Sequence, residues 1–351
     1  MKVLIDITHP AHLHFFRNVA AKLESEGHSV KWTGRDKDIL VQLVQSYKLE
    51  VEMFGEARKG AINMGRELIY RQWRLLKIIG QFKPDVILAI AGTYVSLPGK
   101  ITGVPTYIFY DTEHAVLSNM LSYPFSTCTY VPCCYRKHIR WRHEKYNSYH
   151  EMAYLHPKYF KPDPSILSEV NIMPNEIFSI IRFVGWGASH DMGLTGLTDD
   201  NKRMAVEKLN RYGKVFISSE APLHPDLEPY RLRLDLAKIH NLMAFAAVIF
   251  GESATMCSEG AVLGVPGVYI DPVGRGYTDE QENTYGLVFN FHPERQEKAI
   301  AKAEEILANY DRKDWHKRRA KLLMDKIDVN ELIYQVATEH YRNNRRKQDY
   351  C

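Results

Sequence analysis

The sequence predicts an α/β protein made of two doubly wound, parallel-sheet halves joined by a linker. Three observations predict it. Short apolar runs, read as strands buried on both faces, alternate with helix-length segments. The rhythm breaks between about residues 154 and 175, where Pro157, Pro162, Pro164 and Pro174 crowd a stretch with few apolar pairs, and then restarts. At 351 residues the chain has room for about two domains of ordinary size.

In the first half the spacing predicts a strand over Val3–Ile7, then a helix over Leu13–Glu26 that follows a histidine-rich loop and is ended by Gly27. Ser29–Thr33 reads as the second strand, Asp36–Tyr47 as a helix and Glu50–Phe54 as the third strand. A long amphipathic helix, Met64–Phe82, precedes the buried strand Val86–Ala91. A helix over Val95–Thr102 stops before Pro105, and Thr106–Tyr110 is the next strand. In the second half, strands are predicted at Ile177–Phe183, Val215–Ser218, Ala247–Phe250 and Val268–Ile270. Helices are predicted at Asp199–Tyr212, within Leu232–Phe245, and at Pro293–Asn309 and Trp315–Tyr341. The expected division is residues 1–160, residues 161–330, and a C-terminal helix with a charged tail, 331–351, packing back on the first half.

Composition narrows the class. The hydrophobic share of 45% and charged share of 25% describe a globular protein. A net charge of +4 is too mild to imply nucleic acid. No apolar run approaches the ~20 residues of a membrane span. A strand begins at Lys2, so no signal peptide is visible, and five cysteines without regular spacing suggest reduced thiols. The expected location is cytoplasmic, with peripheral contact to the inner face of the membrane. No metal site is expected: the His9–His12 spacing lacks a nearby third ligand, and Asp199-Asp200 reads as a helix cap.

The segment Gly251–Asp271 carries the most chemistry. It reads as strand end, short loop, helix, turn and next strand. Ser253 or Thr255 can cap the helix, whose first backbone N–H groups and dipole favour an anion. Glu259 adds a carboxylate one turn further on, and Gly264 with Pro266 ends the helix. In doubly wound sheets ligands sit beyond the carboxyl ends of strands, so two halves facing each other make a central cleft. Most titratable residues of note fall in such loops. His9 and His12 can take a proton from a hydroxyl. Asp111 and Glu113 are paired carboxylates at a strand end, suited to acid/base work.

With these residues in hand, the chain resembles the GT-B superfamily of nucleotide-sugar glycosyltransferases and UDP-N-acetylglucosamine 2-epimerases. More narrowly it resembles the DUF354 group. The likeness lies in Asp6–His12, Tyr110–Ala115, Trp186–Asp191 and Gly251–Pro266. The resemblance implies a GT-B fold of two Rossmann-like domains about a cleft, with C-terminal helices crossing back. It implies that Ser253, Ala254 and Thr255 hold the diphosphate, Glu259 the ribose diol, and Arg182 the phosphate charge. His190 is implied at the departing diphosphate, Ser219 near the base, and Gln281 at the donor sugar. Glu113 aligns with a catalytic Glu of the epimerases, but Gly92-Thr93 stands where those enzymes carry a further acid.

The leading expectation is therefore metal-independent transfer from a nucleotide diphosphate sugar, UDP-linked, to a glycan or lipid-linked acceptor. The nucleotide sugar is a co-substrate and no cofactor is needed. The alternatives are an epimerase or hydrolase of UDP-N-acetylhexosamine, and a non-catalytic nucleotide-sugar binder. Two basic runs with aromatics, within 66–82 and 135–143, lean toward an acceptor at a membrane.

Overall fold

The computed structural model describes every residue except 37, 57–59, 174, 185–195, 220 and 349–351. The chain divides into two compact units, Met1–Tyr154 with Ile327–Cys351, and Leu155–Lys326.

Unit 1 contains β1 (Lys2–Ile7), α1 (Pro10–Ser25), β2 (Ser29–Asp36), α2 (Asp38–Ser46), β3 (Val51–Glu56), α3 (Ala61–Phe82) and β4 (Val86–Ile90). It continues with α4 (Ser96–Thr102), β5 (Thr106–Phe109), α5 (Val116–Ser122), β6 (Cys128–Pro132), β7 (His143–Tyr146) and α6 (Met152–Leu155). The seven strands run parallel in the order β3-β2-β1-β4-β5-β6-β7. Val3, Leu4, Ile5 and Ile7 are fully buried. That is why β1 reads as a continuous apolar run rather than an alternation. The order reverses between β1 and β4, so the loops after these two strands flank the topological switch point.

Unit 2 contains α7 (Ile166–Glu169), β8 (Phe178–Phe183), α8 (Asp199–Asn210), β9 (Lys214–Ser219), α9 (Ile239–Met243), β10 (Val248–Gly251) and α10 (Ala254–Leu263). Then come β11 (Gly267–Ile270), α11 (Gly276–Asn283), β12 (Val288–Phe291), α12 (Gln296–Ala308) and α13 (Arg312–Asp325). Its five strands are parallel in the order β12-β11-β10-β8-β9, with the switch point between β8 and β10. Two such parallel-sheet α/β domains constitute the GT-B fold.

After unit 2 the chain returns to unit 1 through α14 (Val329–Gln348). This helix lies on α1: Lys22 pairs with Glu331 at 2.9 Å, and the Tyr334 hydroxyl donates to Glu26 at 2.5 Å. Among the described residues no helix is long and apolar enough to cross a membrane.

Two expectations are corrected, and two stretches hold elements that were not predicted. The first helix begins at Pro10, with Pro at its first position and His9 as its cap, so His12 rides on a helix rather than in a loop. The run predicted as one helix over Trp315–Tyr341 is two, α13 and α14, broken at Lys326, whose backbone is extended. Residues 115–146 hold a helix and two strands that no periodicity announced; β7 is a four-residue edge strand with one buried side chain. The same applies to α11 and the short β12.

Candidate functional site

In unit 2 the site forms where β8 and β10 end side by side. Gly251 closes β10 opposite Arg182 in the parallel register. Its φ is +137°, and a Cβ there would lie 2.1 Å from the Arg182 carbonyl oxygen, so only glycine fits. Ser253 then caps α10, its hydroxyl accepting from the Met256 amide at 3.3 Å. Ala254 and Thr255 take the first two helical positions, where backbone N–H groups have no intrahelical acceptor. Arg182 donates to the Ser218 hydroxyl on β9 at 2.9 Å, which anchors its guanidinium at the strand ends.

Glu259 lies on the second turn of α10, 5% exposed, and pairs with His240 Nε2 at 2.9 Å. His240 comes from α9 and was not anticipated. Glu252 was also missed. It is 4% exposed and accepts from the Val184 amide at 3.0 Å and the Leu197 amide at 2.7 Å. One carboxylate thus clamps both flanks of the 185–195 segment to the tip of β10. His190 falls in that segment, outside the described residues.

Two further expected ligands hold partners within unit 2. Gln281 is fully buried on α11 and donates to the Ser258 hydroxyl at 2.7 Å. It ties α11 to α10, and its Oε1 is buried with no hydrogen-bond partner among the described residues. Ser219 donates to the Ala221 carbonyl at 2.9 Å and shapes the turn after β9.

In unit 1 the candidate acid/base residues gather after β1, β5 and β7. His9 Nδ1 accepts from the Ala11 amide at 3.2 Å, and His12 Nδ1 accepts from the Thr8 amide at 3.3 Å. An Nδ1 that accepts carries no proton, so each neutral ring holds its proton on Nε2 and presents a donor there. Burial, with His9 and His150 nearby, holds His12 well below the usual histidine range. In this tautomer the two rings are suited to donating to an oxygen.

The base-like geometry belongs to a residue the sequence did not flag. His150 Nδ1 lies 3.2 Å from Asp111 Oδ2. The carboxylate holds the Nδ1 proton, leaving the lone pair on Nε2, which is buried and has no hydrogen-bond partner among the described residues. Burial lowers the His150 pKa and Asp111 raises it, with burial dominant. The His150 ring packs on Phe15 at 4.6 Å between centroids. Thr112 donates to the other Asp111 oxygen at 3.0 Å. Glu113 is 6% exposed and accepts from the Arg136 amide at 3.3 Å, which places it as a tether for the following segment. Beneath this group Asp6 is buried against Arg71 at 3.1 Å and Thr33 at 2.8 Å. Among the described residues no three His, Cys, Asp or Glu side chains are grouped to hold a metal ion.

Known proteins share this architecture. UDP-GlcNAc 2-epimerase from Neisseria meningitidis, solved bound to UDP-GlcNAc, superposes with a TM-score of 0.69 at 12% identity, over 97% of this chain and 100% of that one. MurG from Acinetobacter baumannii gives a TM-score of 0.57 at 12% identity, over 97% and 100% of the two chains. In sequence, an uncharacterized protein of Methanocaldococcus jannaschii is 32% identical over 131 residues, 36% of this chain and 37% of its own length. A UDP-N-acetylglucosamine–N-acetylmuramyl-(pentapeptide) pyrophosphoryl-undecaprenol N-acetylglucosamine transferase of Aliivibrio fischeri is 32% identical over 113 residues, 29% of this chain and 31% of its own. The chain therefore matches about a third of the length of these curated relatives. The DUF354 family, described as a protein of unknown function, matches residues 1–281, and the chain belongs to that family.

Proposed function

We propose that the protein is a glycosyltransferase that moves a sugar from a UDP-linked donor to a hydroxyl of a glycan or lipid-linked acceptor. The observation that carries the reading is the tip of β10. Gly251 lets the backbone run against Arg182, a capped ten-residue helix opens directly after it, and Glu259 follows on that helix. Diphosphate suits the first-turn amides and the Arg182 guanidinium. A vicinal diol suits the Glu259 carboxylate, which His240 holds in place. His190 belongs to the same proposal at the leaving diphosphate.

The Asp111–His150 pair supplies the base. The acceptor hydroxyl attacks the anomeric carbon, its proton passes to His150 Nε2, and the bond from that carbon to the diphosphate oxygen breaks. Asp111 stabilises the imidazolium that forms. His9 and His12 present Nε2 protons to donor or acceptor oxygens. A second reading, a UDP-N-acetylhexosamine 2-epimerase or hydrolase, is favoured by the likeness to the epimerase fold. It requires acid and base on both faces of the sugar. After β4, however, Thr93 bonds the Ser118 hydroxyl at 2.6 Å, and no carboxylate stands there.

The test is a thermal-shift series with UDP, GDP, CDP and dTDP, alone and as sugar conjugates, on wild type and Glu259→Gln. At a hundred times Kd, a native-state ligand adds about 2.7 kcal/mol, or roughly 5–10 °C for a unit of this size. A shift with one nucleotide, lost in Glu259→Gln, supports the donor site; no shift with any sinks it. A new sugar nucleotide formed without acceptor would instead establish the epimerase.

A further inference from the structure

We propose that the solvent face of α3, with α4 and α5 beside it, seats unit 1 on an anionic lipid surface. Nine of the fifteen large hydrophobic side chains exposed among the described residues lie between Ile62 and Trp141; the other six are spread from Met173 to Ile327. This concentration exceeds the scattered apolar residues of an ordinary surface.

On α3 the exposed Ile62, Ile69, Tyr70 and Trp73 recur at a spacing that keeps them on one side of a helix, while Arg71, Leu75, Ile78 and Ile79 are buried on the other. Ile69 is 70% exposed and Trp73 48%. Neighbouring α4 offers Ile101, and α5 offers Leu117 and Met120, each more than 60% exposed. Trp141 meets Tyr123, at the end of α5, at 6.3 Å between rings and extends the same surface. The expected second run is thereby narrowed, because Tyr135 and Ile139 within it are buried.

The charge pattern names the partner. Arg66 and Lys77 on α3, Lys100 on α4, and Arg136, Lys137 and Arg140 in the connection before β7 are exposed. Across residues 60–82, 95–103, 115–123 and 135–142 the one acid is Glu67, which is buried and paired with Arg35 at 2.6 Å. Lys77 lies 3.7 Å over the Trp73 ring, a cation on an aromatic. An apolar strip with an aromatic, rimmed by cations and lacking acids, matches the boundary of an anionic bilayer, where each basic residue adds attraction. A second copy of this chain would set the same cations against each other. Helix α5 begins five residues after Asp111. If the transfer reading holds, on which this step rests, the acceptor is lipid-linked and reaches the dyad from the bilayer.

The experiment is co-sedimentation with phosphatidylcholine vesicles, with and without about a third phosphatidylglycerol. We expect at least about tenfold more binding to the anionic vesicles, weakening as salt rises. Ile69→Glu with Leu117→Glu, both at exposed positions, should abolish that preference while leaving Tm unchanged. Equal binding to both vesicles, or binding unaltered by the double substitution, would overturn the proposal. So would a dimer in light scattering that the substitutions dissociate, which would assign the face to self-association. Nucleotide shifts measured on the same variants separate the two readings. Vesicle binding without any nucleotide shift leaves the lipid surface standing and removes the donor site.

Discussion

Replacing Arg71 with methionine tests whether the buried charge beneath the unit 1 site is held by its partners. The guanidinium is fully buried. It donates to the Gly34 carbonyl at 3.1 Å, the Phe54 carbonyl at 2.6 Å and Asp6 at 3.1 Å, and lies over the Phe54 and Tyr94 rings. Methionine fills much of the volume but leaves Asp6, 3% exposed, with Thr33 as its remaining described donor. Orphaning one member of a buried pair costs about 3–5 kcal/mol. For a unit of this size that lowers Tm by roughly 6–20 °C. The loss should also depend on pH. Burial already raises the Asp6 pKa above 3.8, and Arg71 pulls it down. Without Arg71 it rises further, so the folded state binds more protons than the unfolded one. Stability must then fall as pH rises through that window, and the deficit at about pH 8 must exceed that at about pH 5.5. Adding Asp6→Asn should recover the charge cost and leave about 1 kcal/mol for each stranded carbonyl. Urea unfolding followed by circular dichroism, with one transition fitted per unit, gives both numbers. A loss below about 1 kcal/mol, or one that ignores pH, would refute the reasoning.

Two further outcomes are expected. Burial depresses both His12 and His150 below 6.5, so the unfolded chain binds more protons under that pH. Stability should therefore fall from about pH 7.5 to about pH 5.5, by at most about 1.4 kcal/mol per pH unit for each histidine, and His150→Gln should remove its share of the slope. A wild-type urea midpoint that stays flat across this range contradicts the burial argument. Gly251→Ala forces a Cβ against the Arg182 carbonyl at a positive φ, and should cost unit 2 about 2–5 kcal/mol and erase the nucleotide shift. A melting temperature close to wild type would mean the strand tip can open.

Much of the fold was legible because its strands are buried on both faces and punctuated by Gly and Pro. The Gly251–Gly264 segment declares itself in order: strand end, cap, helix, αL stop at Gly264. The short edge strand β7 and the start of α1 were not legible, because a polar four-residue strand has no period and Pro10 reads equally as turn or first helical residue. The carboxylates Asp111 and Glu259 were found, but their partners were not. His150 is 39 positions from Asp111, and His240 is 19 from Glu259. Neither interval is a helical or strand spacing; the packing of α9 against α10 joins one pair, and the ends of β5 and β7 carry the other. The histidines marked by clustering, His9 and His12, proved to be committed through Nδ1 to local backbone amides. Clustering in sequence signalled a helix start, and the isolated histidine acquired the unshared lone pair.

The placement of α14 has a consequence for the order of synthesis. Unit 1 begins the chain, yet the helix that covers α1 is made after all of unit 2. A ribosome therefore releases a complete second unit while the first still lacks one of its walls. The buried Val329, Ile333 and Val336 on α14 supply that wall. During translation the side of α1 that meets α14 waits uncovered through more than 170 residues of intervening chain, Leu155–Lys326, while Phe15 and Phe16 on its other side already pack on Phe109. Nascent chains stalled before residue 329 should present a protease-sensitive first unit beside a protected second one, the reverse of the order in which they were written.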